Sequence, residues 1–197
     1  MYNSYSSLQR AQLSEQVYSD TQSTYLLVYA PARHAALDAA LRDQLHRKFR
    51  LVEHLGSELT DSVSGVLLVS EDVTCMSTTL TYFAQALQDG ADYAVCNAVF
   101  GFGGATALYQ SHGHWPQSRF ALVSRPLLDR CRAAAKDPES VSELLALAAQ
   151  LAQTPTHIPQ ALLHYQRDIS AEDVYSVSGK RAFVMSHVLD MTGAPIV

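Results

Sequence analysis

Apolar residues along this chain fall into short blocks separated by polar turns, and the blocks alternate between two periods. Residues 25–30, Tyr-Leu-Leu-Val-Tyr-Ala, form a continuous apolar run halted by Pro31. That is the pattern of a strand covered on both faces. Ala36, Leu37, Ala40, Leu41 and Leu45 then recur at helical spacing, which predicts a helix over residues 33–49. Residues 49–55 predict a second strand, and a polar loop runs from Gly56-Ser57 to Ser64. Residues 66–70 predict a third strand. A helix is expected over 74–88, with Leu80, Phe83, Ala84 and Leu87 on one face and Gly90 as its stop. Residues 93–100 read as a fourth strand, 101–104 as a glycine-rich turn, and 105–109 as an antiparallel return.

In the second half, residues 120–124 read as a strand, 126–135 and 141–153 as helices, and 158–164 as a short last strand. A polar, acidic stretch over 169–178 precedes a closing helix over 180–191. A short helix suits residues 8–18. Residues 1–22 are rich in Ser, Tyr and Gln and read as an N-terminal extension to a single compact domain over 23–197. The strand–helix alternation predicts an α/β fold: an αβα sandwich with a mostly parallel central sheet.

Composition narrows the function classes. The chain has 197 residues, enough to bury a substantial core, with 48% hydrophobic and 17% charged residues. A net charge of −5 disfavours bulk nucleic-acid binding. The apolar runs are far shorter than a membrane span. Nothing near the N-terminus has a signal peptide's apolar centre, so a cytoplasmic protein is expected. Cys75, Cys96 and Cys131 lack metal-ligand spacing and read as free, buried thiols rather than a zinc site.

The most informative stretch is Gly65-Val-Leu-Leu-Val-Ser-Glu-Asp72, an apolar run ending in two carboxylates. A buried strand that delivers acids at its carboxyl end is where α/β proteins place metal and phosphate chemistry. An Asp there also suits the N-cap of the following helix. The order of segments resembles the nucleotide-sugar glycosyltransferases of the GT-A fold, family-two type. Val52-Glu-His-Leu-Gly-Ser57 keeps the Gly-Ser of that family's D-D-G-S-like loop. Ser70-Glu71-Asp72 keeps the second acid of its D-x-D. Phe120-Ala-Leu-Val-Ser-Arg-Pro-Leu-Leu-Asp129 is similar to its acceptor-side strand and helix start. His157-Ile-Pro-Gln-Ala-Leu-Leu-His-Tyr-Gln-Arg167 is similar to its closing I-P-x-x-L-x-H-Y/W-R strand. The chain departs from the family between Gly56-Ser57 and Asp72, where a strand and an N-G-G-type stretch that help hold the nucleotide are missing.

The resemblance implies a Rossmann-like GT-A fold and transfer of a sugar from a nucleotide diphosphate to an unknown acceptor. A divalent cation, Mn²⁺ or Mg²⁺, would neutralise the leaving diphosphate. Asp72 is the first expected ligand, with Glu71 and His164 beside it. Glu139 is the expected general base, although acids at a helix start also complement its dipole. Gly56, Ser57, Trp115 and Arg167 are the expected substrate contacts. Two alternatives stand. One is a catalytically degenerate fold of the same type serving as a binding or assembly subunit, which predicts a homo-oligomer or partner complex. The other rests on Asn97-Ala-Val-Phe-Gly-Phe-Gly-Gly104, which resembles a turn of thiolase-fold ketosynthases and implies acyl transfer through a cysteine.

Overall fold

A computed structural model describes residues 21–32, 34–69, 73–102, 105–109, 120–135 and 140–168. For 100–102, 105–109 and 165–168 it describes the backbone only. The expected helices over 8–18 and 180–191, the loop around Trp115 and the acidic stretch over 169–178 lie outside the described residues.

The elements run β1 (Leu26–Tyr29), α1 (Ala35–Arg42), β2 (Phe49–Val52), β3 (Gly65–Val69), β4 (Val73–Cys75), α2 (Thr79–Gln88), β5 (Tyr93–Phe102), β6 (Ala105–Tyr109), β7 (Phe120–Ser124), α3 (Arg125–Ala134), α4 (Val141–Leu151) and β8 (Pro155–Asp168). All eight strands join one sheet in the order β2-β1-β3-β7-β5-β8-β4, with β6 paired to β5 off that path. The pairs β2·β1, β1·β3 and β5·β8 are parallel. The pairs β3·β7, β7·β5, β5·β6 and β8·β4 are antiparallel. The protein is therefore mixed α/β. The parallel character expected from the sequence holds for β2-β1-β3, and β7 interrupts it by inserting antiparallel between β3 and β5.

Both faces are covered at the centre of the sheet, so β1, β3 and β7 are nearly continuous apolar runs rather than alternating with polar residues. Leu26, Val28, Leu67, Val69, Phe120 and Leu122 pack with Leu37, Leu41, Leu80 and Phe83 of α1 and α2. Leu27, Val66, Leu68, Ala121 and Val123 turn the other way, onto Leu127, Leu128, Leu144 and Leu145 of α3 and α4. Fully burying each of these side chains contributes about 1.5–3 kcal/mol. Packing leaves little room at Gly65, where an added Cβ would sit 3.0 Å from Leu87 Cδ2 and 3.2 Å from the Val123 carbonyl oxygen.

Three elements differ from the sequence expectation. The helix expected over 33–49 ends at Arg42. The apolar periodicity continues to Leu45, but the side chain of Gln44 is wholly buried and works across the fold instead. Its amide donates to the carbonyls of Ala40 (3.1 Å) and Met76 (2.7 Å) and accepts from the Leu80 N–H (3.0 Å). The neighbouring Leu45 N–H donates to the Ser77 carbonyl at 2.8 Å. The helix expected over 74–88 begins at Thr79. Val73, Thr74 and Cys75 are taken into the sheet as β4, two of them β-branched and suited to a strand. The N-cap position belongs to Thr78, six residues past Asp72. Lastly, β8 extends over 155–168, well beyond the expected 158–164.

Candidate functional site at the carboxyl edge of the sheet

β3 and β5 are both antiparallel to β7, and β8 is parallel to β5. So β1, β2, β3, β5 and β8 all send their carboxyl ends to one edge. β2 and β3 flank β1 on opposite sides. The connections leaving β1 and β3 therefore diverge at that edge, making the kind of switch point where open α/β sheets bind ligands.

The expected residues distribute around this edge as follows. Gly56 and Ser57 follow β2. Glu71 and Asp72 lie outside the described residues, between Val69 at the carboxyl end of β3 and Val73 at the start of β4. His164 and Arg167 occupy the last third of β8, Arg167 with its backbone alone described. Trp115 and Glu139 lie outside the described residues. α3 starts where Ser124 pairs with Gly65, and α4 leads to Pro155 beside Tyr93. Both of those positions are at the amino edge, so the last turn of α3 and the first turn of α4 lie toward the opposite end. Glu143, in that first turn, closes a capping box: its carboxylate accepts from Ser140 N–H at 3.3 Å while Ser140 Oγ accepts from Glu143 N–H at 3.2 Å. The helix-start explanation accounts for it.

Two motifs about ninety residues apart meet through β4. Val73 pairs with Tyr165, Thr74 with His164 and Cys75 with Leu163. The chain leaving the acid pair thus enters the sheet against the strand that carries His164. That placement is braced from below. Met76 N–H and Thr79 Oγ donate to the Leu162 carbonyl at 2.8 and 2.9 Å, and Gln44 holds Met76 and Leu80 from the other side. Half-burial pushes the His164 imidazole below its ordinary pKa. The ring is therefore neutral near pH 7, the form that ligates metals or accepts a hydrogen bond. Among the described residues no three His, Cys, Asp or Glu side chains gather to hold a metal ion. His164 is the described member of the expected ligand set.

A groove of about 400 Å³ lies along the end of β2, lined by Arg50, Glu53, His54, Gly56, Ser57 and Glu58 among others. It is open and built from one continuous segment. Arg50 and Glu58 form an ion pair across it. A Cβ at Gly56 would meet nothing within 4 Å, so packing does not fix that glycine.

Sequence reading missed three arrangements. The first links the two resembling motifs: Asn97 Oδ1 lies 2.8 Å from His157 Nε2, and Asn97 Nδ2 donates to the Pro159 carbonyl at 2.7 Å. They pin a bulge where β8 slips against β5, since Cys96 pairs with Ile158 but Asn97 with Ala161. Pro159 inside a strand was the available signal, because proline is tolerated there chiefly at bulges and edges. The second is the N-cap of α1, His34, whose Nδ1 accepts from Leu37 N–H at 3.2 Å. The third, at Asp92, is far from this edge. Its carboxylate accepts from the N–H groups of Gln153 (2.8 Å) and Thr154 (2.9 Å) and from Arg130 (3.0 Å). Burial pushes its pKa up, but these bonds together outweigh burial and hold it below the ordinary value.

All three cysteines are buried and free, as expected. Burial pushes Cys75 up to about 12 and raises Cys96 and Cys131 as well. A thiol so protonated is a poor nucleophile. Gly101 and Phe102, expected in a turn, belong to β5 and pair with Thr106 and Ala105. Among the described residues no helix is long and apolar enough to cross a membrane. No protein-family model matches the chain, and no curated protein matches it.

Proposed function

We propose that this chain is a GT-A-type glycosyltransferase that moves a sugar from a nucleotide diphosphate to an acceptor with the help of Mn²⁺ or Mg²⁺. The observation that carries this reading is the β4·β8 pairing, which draws the segment leaving Ser70-Glu71-Asp72 against the strand of His164 and Arg167. Val73, directly after the acid pair, and His164 both stand toward the edge where open α/β sheets bind ligands.

In this reading Asp72, Glu71 and His164 would hold the cation. When bound, it supplies Lewis-acid neutralisation of the leaving diphosphate. Arg167 adds positive charge beside the phosphates. Gly56 and Ser57 line the nucleotide side of the groove beyond β2, and Trp115 offers an apolar platform to the sugar face. Glu139 takes the proton from the acceptor hydroxyl.

The test is thermal shift against a panel of nucleotide sugars, with and without Mn²⁺. A metal-dependent rise in Tm that vanishes in Asp72→Ala is the expected result; no rise with any donor would end the proposal. One observation favours the degenerate subunit reading instead: the groove at the end of β2 is open and formed by a single stretch of chain, β2 and the loop after it. That reading expects a stable oligomer and no turnover. The cysteine-dependent acyl-transfer reading lacks support, because the three thiols are buried.

A further inference from the structure

β2 ends the sheet on one side, and no described strand lies beyond it. Its connection to β3, residues 53–64, adds none. The N–H groups of Leu26 and Ala30 donate to the carbonyls of Lys48 and Val52, both at 3.0 Å. Residues 48, 50 and 52 therefore aim their backbone groups at β1. By strand alternation Phe49 and Leu51 aim theirs away from the sheet. Such an edge is a template for pairing with another chain.

Proteins commonly block an exposed edge with charge. Here the charge changes sign along the edge. Between Gln44 and Asp61 the cations Arg47, Lys48 and Arg50 all precede Leu51, and the acids Glu53, Glu58 and Asp61 all follow it. All but Glu58 are exposed. A second copy of this strand laid parallel would set cations on cations and acids on acids. Laid antiparallel about Leu51, it sets the cations of each copy toward the acids of the other. Leu51 suits the axis, because its backbone groups point outward and its side chain is apolar and only partly buried.

We propose that β2 pairs antiparallel with β2 of a second copy of this chain, about a two-fold axis at Leu51, so that two sheets become one. The two Leu51 residues exchange N–H···O bonds on the axis. Phe49 of each copy stands opposite Glu53 of the other. Arg47, two residues further along the same face, lies diagonal to that Glu53, within reach of a long side chain. The contact is short and falls below the area of a permanent interface, so the dimer forms and parts with concentration. This inference does not depend on the sugar-transfer reading.

The test is sedimentation velocity of the full chain from about 1 to 500 µM, at low and high salt. Wild type is expected to shift from monomer to dimer over that range, and high salt to weaken the dimer. R47E sets acid beside acid twice and is expected to weaken it about tenfold. The charge swap R47E/E53R is expected to restore it. L51P removes the N–H that each copy offers on the axis, at an edge position where proline is tolerated, and is expected to stay monomeric. Wild type that remains a monomer at the highest concentration overturns the inference. So does a dimer that R47E and L51P leave unchanged, which would use another surface, and so does a swap variant no better than R47E. Should L51P fail to fold, R47E and its swap decide alone.

Discussion

The two edges of the sheet are built on opposite terms. At the amino edge, Asp92 sits 15% exposed and gathers bonds from Arg130, Gln153 and Thr154, while Thr154 Oγ returns one to the Gly90 carbonyl at 2.8 Å. The α2–β5 turn, α3 and the α4–β8 turn are thereby tied to one carboxylate. At the carboxyl edge the described side chains gather around no such hub, and a groove stands open along β2. The difference is the usual division of labour in such sheets: one end closes the fold and the other is left free to meet ligand.

The sharpest way to break that contrast is Asp92→Ala. Three charge-assisted bonds go, and Arg130 loses its buried partner. A loss of about 3 kcal/mol is expected, or a fall in Tm of about 5–10 °C. Diphosphate affinity of the folded fraction should stay at the wild-type value; a matching loss of affinity would show that the two edges are not separate. Gln44→Ala is next. It removes a buried amide that bonds Ala40, Met76 and Leu80, so about 2 kcal/mol is expected by urea melt. Because Gln44 also braces the segment after β4, a modest loss of metal-dependent binding should accompany it.

A smaller effect comes from pH. Burial holds His46 and His164 below their ordinary pKa. As pH falls below about 6.5, the unfolded chain takes up protons before the folded one does. Stability should therefore decline from about pH 6.5 downward and level off once the folded rings protonate. Urea melts between pH 7.5 and 5 would show it, and His46→Gln should flatten part of the slope. Asp92 adds its own decline below about 3.8, as its lowered carboxyl is the last to protonate. The smallest expected change is Asp72→Asn, within about 0.5 kcal/mol of wild type in stability. A large stability loss there would make Asp72 part of the scaffold.

Much of the fold was legible because continuous apolar runs and helical periodicity report burial directly. The β1, β3, β5 and β7 strands and α3 and α4 lie close to where the pattern puts them. Reading failed where a long-range bond outbid the local pattern. The α1 helix stops short because Gln44 is more useful inside the fold than on a helix face. β4 exists because β8 offers it a partner, and nothing in Val73-Thr74-Cys75 names a strand ninety residues later. The antiparallel insertion of β7 likewise leaves no local mark. At the site, the sequence supplied chemistry-bearing side chains but not their neighbours. It could mark His164 but not Thr74 across from it, and it passed over His34 as the N-cap of α1.

The dependence of β4 and β5 on β8 has a consequence for how the molecule is made. During synthesis every other described strand of the sheet leaves the ribosome before β8 does. Until then the acid-bearing segment has no strand to lie against, and one flank of β5 stands open. Domains whose central pairing arrives late expose sticky edges while they wait. Nascent chains stalled before residue 155 should thus be protease-sensitive around β4 and β5, with protection arriving only as β8 threads in.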